Sequence, residues 1–169
     1  MASGDAVVQV LDIMPPAATY ATIDTRTGGS TPAETVIVWD FDDSTIEYLD
    51  IKCRLFGYGA ETGLTFKVFW SAETATGGVC RWGAAIRAMP DDAEDVDVSH
   101  TYDFNDVDDT APSASGELGY ATITFTDGAD MDALAEGEVF ILRLRRNASH
   151  ANDTMTGDAE LWAIAGSET

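Results

Sequence analysis

Three stretches of this chain alternate apolar and polar residues without a break. Leu49, Ile51, Cys53 and Leu55 share one side against Asp50, Lys52 and Arg54. Leu64, Phe66, Val68 and Trp70 oppose Thr65, Lys67 and Ser71, and Cys80, Trp82, Ala84, Ile86 and Ala88 oppose Arg81 and Arg87. Only an extended strand separates residues this way, because successive side chains leave opposite faces. The chain is therefore committed to half-buried β structure. Its cations follow the same pattern: Lys52, Arg54, Lys67, Arg81, Arg87, Arg143 and Arg145 lie inside strand-like runs, while the acids crowd the segments between.

Gly57-Tyr58-Gly59 and Gly77-Gly78 turn the chain between those three runs, which read as a β-meander. Val36–Phe41 is a short apolar strand. Ala121, Ile123 and Phe125 face inward in another, with Phe140, Leu142 and Leu144 in a third and residues 160–165 closing the chain. A strand over residues 100–107 follows from Tyr102 and Phe104 alternating with Asp103 and Asn105. One helix of about two turns is expected after Asp127, an acceptor suited to an N-cap, with Asp130 and Asp132 near the positive end of the dipole and Gly137 at its end. Residues 1–34, broken by Pro15-Pro16 and by a loop rich in Gly, Ser, Thr and Pro, read as an N-terminal arm with short strands. Residues 35–169 form the domain. About eight strands with regular turns predict an all-β fold: a single antiparallel β-sandwich, most simply a jelly roll.

The charge balance limits the partners. Thirty Asp and Glu against nine Lys and Arg give a formal net charge of −21. Such a surface repels phosphate backbones and anionic lipid, so neither nucleic acid nor a membrane surface is an expected partner. Cys53 and Cys80 fall on core-facing positions and read as small buried hydrophobes. No export leader is expected, since Met1–Asp5 carries no positive charge and the apolar run 7–14 is interrupted by Asp12.

Candidate chemistry is sparse. His100 and His150 lie in loops without partners at ligand spacing. Asp91, Asp92, Glu94, Asp95 and Asp97 offer oxygen ligands of the kind Ca²⁺ takes, but the spacing lacks the turn glycine and terminal Glu of an EF-hand, so a solvated face is expected. Asp106, Asp108 and Asp109 read the same way. Asp40, Asp42 and Asp43 follow Trp39 at a strand end; carboxylates along one loop do not supply the separation that glycosidase chemistry needs. No cofactor, no metal and no catalytic residue are expected, and the chain is not read as an enzyme. Trp70 and Trp82 point into the core. Trp162, sharing a face with Glu160 and Ile164, is the aromatic expected at the surface or at a subunit contact, and with Tyr58 it could stack on a glycan.

Several segments taken together resemble small virion proteins of tailed bacteriophages. They are Thr25-Arg26-Thr27-Gly28-Gly29-Ser30-Thr31-Pro32, Val38-Trp39-Asp40-Phe41-Asp42 and Phe125-Thr126-Asp127-Gly128-Ala129-Asp130-Met131-Asp132. Leu142-Arg143-Leu144-Arg145-Arg146 with residues 153–161 completes the set. The resemblance implies a virion structural role, such as capsid decoration or a head fibre, assembled in the host cytoplasm, and brings no catalytic residues. The corresponding expectation is a symmetric homo-oligomer, a trimer by preference, docking on the major capsid protein or another virion protein. In that reading exposed Arg81, Arg87, Arg143 and Arg145, with Trp162, make the oligomer or shell contacts. The alternatives are a carbohydrate-binding or receptor-binding module of a phage tail or fibre, and a self-assembling filament subunit.

Overall fold

The structure, a computed structural model, describes residues 5–59 and 61–169; the first four residues of the expected arm lie outside these. Ten strands account for the fold: β1 Val8–Met14, β2 Thr22–Gly28, β3 Glu34–Phe41, β4 Glu47–Leu55, β5 Gly63–Ala72, β6 Val79–Met89, β7 Asn105–Thr110, β8 Gly119–Thr126, β9 Val139–Arg146 and β10 Ala159–Glu168. They form two antiparallel five-stranded sheets, sheet I in the order β1-β4-β9-β6-β7 and sheet II in the order β2-β3-β10-β5-β8. From β3 onward the chain crosses between the sheets at every connection but the β6–β7 hairpin of sheet I, in the order of an eight-stranded jelly roll. The two strands of the N-terminal segment add one edge strand to each sheet.

The three alternating runs are strands, but they are not a meander. β4 and β6 lie in sheet I with β9 between them, while β5 lies in sheet II. Alternation dictates which residues face inward and says nothing about which strand lies alongside. The inward sets meet in one core, where Trp70 and Trp82 pack edge to face at 5.8 Å, Phe41 and Trp82 at 5.1 Å, and Phe66 and Phe125 at 5.9 Å. Each large side chain buried this way stabilises the fold by roughly 1.5–3 kcal/mol. Cys53 and Cys80 are both free and fully buried, on strands that are not neighbours. Burial pushes the Cys53 thiol up to about 12.

The expected helix is a single 3-10 turn over Ala129–Met131. Asp127 does not cap it; its Oδ1 accepts from the Tyr58 hydroxyl at 2.6 Å. Asp130 instead accepts from the Thr126 backbone N–H at 2.6 Å, and Asp132 and Ala133 sit at φ 54°, a left-handed pair that stops helical propagation. One turn gains too few bonds to offset its nucleation cost. The strand expected over 100–107 begins only at Asn105, and Tyr102 and Phe104 belong to the preceding loop.

Register matters most at β10. Ala159, Leu161, Ile164 and Gly166 pair with inward residues of β5, but the register shifts between Leu161 and Ala163. Trp162 is the extra residue of this bulge. Beyond it the alternation inverts, so Ile164 faces the core and does not share the Trp162 face.

Candidate functional site

The outer face of sheet I carries the four predicted contact arginines. Arg143 Nε and Nη2 donate to both oxygens of Asp50 at 2.6 and 2.7 Å, and its guanidinium lies 4.1 Å from the Tyr102 ring. Arg145 Nη2 donates to Asp106 Oδ2 at 2.9 Å, with the guanidinium 3.8 Å over Phe104. Gly83 makes room for that pair, because a Cβ there would lie 2.0 Å from Asp106 Oδ1. Arg81 is bridged to Asp106 and Asp108. Arg87 Nε donates to Glu94 at 2.9 Å, and Nη2 donates to the carbonyls of Asp95 and Val98. The expectation of exposed cations awaiting acids on another protomer therefore needs correction. The side chains are 6–25 % exposed and each is ion-paired within the chain. The loop from residue 90 to 104 lies over this face, and its acids and aromatics are what hold it there.

That loop also accounts for the proposed Ca²⁺ ligands. Glu94 is taken by Arg87, and Asp95 Oδ1 accepts from the Asp97 backbone N–H at 2.9 Å. Among the described residues, the acids whose oxygens come within 4.8 Å of one another are Asp42, Asp43 and Asp158, from the β3–β4 turn and the approach to β10. Hydrogen bonds from Ser44 hold the Asp42 carboxyl below the usual range, while burial and the charges of Asp42 and Asp43 raise Asp158. His100 lies 3.8 Å from Asp132, and His150 accepts from the Asn152 backbone N–H. Tyr58, expected as a stacking residue, is 6 % exposed with its hydroxyl tied to Asp127 and Gly63. It is a core residue.

Sheet II presents a different outer face. Trp162 is 36 % exposed there. Its indole Nε1 donates to Ser71 Oγ at 2.8 Å, Ser71 Oγ donates to Glu160 Oε2 at 2.6 Å, and Arg26 Nη1 donates to the same oxygen at 2.6 Å. Four side chains from β10, β5 and β2 are thus fixed in series. Arg26 is also held by Ser115 Oγ at 2.8 Å, and Gly116 leaves room for its guanidinium, since a Cβ would meet it at 2.5 Å. Beside this chain opens a cleft of about 530 Å³. Its walls are Arg26 and Gly28 of β2, the Gly29–Pro32 turn, Glu34 and Val36 of β3, Gly116 and Trp162. The sequence marked Trp162; Arg26, Glu34 and Glu160 were not marked, since nothing local shows that β2, β3 and β10 lie side by side.

Asp40 lies opposite Glu160 on this face. Burial, with the charges of Asp158, Glu73, Glu160 and Asp24, raises its carboxyl to about 7. Its Oδ1 is buried and has no hydrogen-bond partner among the described residues. The face is therefore strongly anionic, with Arg26 as the cation lining the cleft.

No protein family matches the chain, and no curated protein sequence matches it. Solved structures align with the chain at low similarity. One is the carbohydrate-binding module TmCBM61 in complex with β-1,4-galactotriose, at 9% identity over 94% of this chain and 88% of that chain, TM-score 0.40. Another is the family 11 carbohydrate-binding module of Clostridium thermocellum in complex with a β-1,3-1,4-mixed-linked tetrasaccharide, at 12% identity over 98% and 97%, TM-score 0.39. A third is the enzymatically active domain of bacteriophage CBA120 tailspike protein 4, at 6% identity over 96% of this chain and 19% of that chain, TM-score 0.39.

Proposed function

We propose that this chain is a non-enzymatic glycan-binding β-sandwich, serving in a tail or receptor-binding part of a phage virion. The observation that carries the glycan reading is the fixed indole of Trp162 at the cleft. Its one donor is occupied by Ser71, so what it offers a ligand is an apolar ring face. The apolar C–H face of a sugar ring stacks on such a surface, while Glu34 at the rim can accept hydrogen bonds from hydroxyls. The hydrogen-bonded series behind the indole is formed before any ligand arrives, which lowers the ordering cost of binding. The virion setting rests on the sequence resemblance alone.

A glycan array followed by titration calorimetry tests this. Specific binding is expected, lost on Trp162→Ala and retained on Tyr58→Phe. Binding that survives Trp162→Ala would remove the site.

One observation favours a second reading, attachment to a phage shell as a symmetric oligomer. Leu11, Met14, Ile23 and Ile37, on the strands nearest the N-terminus, are 45–69 % exposed. Sedimentation at high salt checks it: a defined oligomer supports it, and a strict monomer opposes it.

A further inference from the structure

The outer face of sheet II does not end at the cleft. On the rung beside the bulge, Ala163 of β10 pairs with Phe69 of β5, and Phe69 pairs with Tyr120 of β8. Trp162 therefore begins a row of aromatics that crosses three neighbouring strands. The Phe69 and Tyr120 rings lie 6.0 Å apart at their centroids, and Tyr120 is 56 % exposed. Lys67 Nζ sits 5.0 Å from the Tyr120 ring centroid, a donor at the far end of the row. From β10 to β8 is two inter-strand spacings, about 10 Å, so sugars stacked on both end rings stand two units apart and the ligand must be longer than a disaccharide.

We infer that the binding site is an extended groove running across the strands, and that its ligand is a neutral β-linked oligosaccharide, held at one end by Trp162 and at the other by Tyr120. This rests on the glycan reading above and adds ligand length and charge to it. Length follows from the row: a single sugar fills the cleft at Trp162, and only a longer chain reaches Tyr120. A β-1,4-linked gluco- or manno-configured backbone suits the row because its equatorial linkages make it ribbon-like and lay ring faces on a surface. Charge follows from the acids. Glu34 lines the cleft, Asp24, Glu73 and Glu160 cluster around Asp40 on the same sheet, and the guanidinium of Arg26 is already engaged by Glu160. A uronic-acid chain would meet this field as a like charge, on a protein whose net charge is −21.

The test is calorimetry of the full chain with β-1,4-linked gluco-, galacto- and manno-configured disaccharides and hexasaccharides, and with a uronic-acid oligomer of the longer length. At least one neutral hexasaccharide is expected to bind about tenfold more tightly (about 1.4 kcal/mol) than its disaccharide. Tyr120→Ala should remove that gain and leave the disaccharide unchanged, Tyr120→Phe should keep it, and Trp162→Ala should abolish binding of both. Equal affinity for short and long chains, indifference to Tyr120→Ala, or preference for the uronic-acid oligomer overturns the extended neutral groove and leaves glycan binding at Trp162 standing. Failure of every sugar, here and on the array, overturns both.

Discussion

The two outer faces of this sandwich are built from similar strands and present opposite surfaces. On sheet I, Arg81, Arg87, Arg143 and Arg145 are each paired with acids of the same chain, and the loop over residues 90–104 packs over this face with Glu94, Tyr102 and Phe104. On sheet II, Arg26 and an indole are fixed by a short series of hydrogen bonds and left beside an open cleft. Charge alone does not mark an open surface: the face richer in arginine is the one whose arginines are paired within the chain. What distinguishes a binding face is a group whose polar needs are met while its ring still meets water.

The largest expected effect is a control on the sheet I side, at the end of β9, where the alternation turns an arginine inward. Arg146 is fully buried, with Nη2 donating to Asp153 Oδ1 at 2.9 Å and to the Met155 carbonyl at 2.7 Å, and Nη1 donating to the Gly157 carbonyl at 2.8 Å. Arg146→Ala leaves Asp153 buried and uncompensated, and denaturant unfolding should show a loss of about 3–5 kcal/mol. A loss below about 1 kcal/mol would mean that the pair is not held dry.

Next comes Asp40, on the other face. Its carboxyl is raised to about 7 from 3.8, so between these values the folded chain keeps a proton that the unfolded chain has released. Stability therefore falls as pH rises through that window, and the deficit is complete above about pH 7. Asp40→Asn should stabilise the protein at pH 8, by about 2 kcal/mol once the shift of this half-buried group is discounted for solvent screening, and bring no such gain near pH 4. Paired melting curves at the two pH values check this; equal effects at both would show that the charge is already relieved.

Trp162→Ala should then cost about 2 kcal/mol or more of glycan affinity while moving the unfolding free energy by less than about 1 kcal/mol, because the indole is part-exposed. Arg143→Ala should do the reverse. It strips a bidentate partner from Asp50 and a cation from the Tyr102 ring, for a stability loss of about 1–2 kcal/mol, with sugar affinity unchanged. If Arg143→Ala weakened glycan binding as much as Trp162→Ala does, the contrast between the faces would be lost.

Much of the fold was legible because period-two alternation is local. Leu49–Leu55, Leu64–Trp70 and Cys80–Ala88 each announce their inward set, and the structure buries every one of the residues so assigned. The candidate site was legible only at Trp162. Tyr58 looked like a turn aromatic at the surface, yet Asp127, far along the chain, and the Gly63 backbone hold its hydroxyl inside. The expected helix fell short because its acids found partners outside it, Tyr58 for Asp127 and Thr126 for Asp130.

By itself, then, the amino-acid order determined that this chain makes strands, which residues enter the core, and that its surface repels anions. These are properties of neighbouring residues and of the total charge. Only the tertiary structure decided that the runs divide between two sheets, that a bulge at Trp162 turns Ile164 inward, that Trp162 lies beside Arg26 and Glu34, and that the arginines of sheet I are already matched. Those outcomes depend on pairings between residues tens of positions apart, and a strand's own pattern does not say which neighbour it will take.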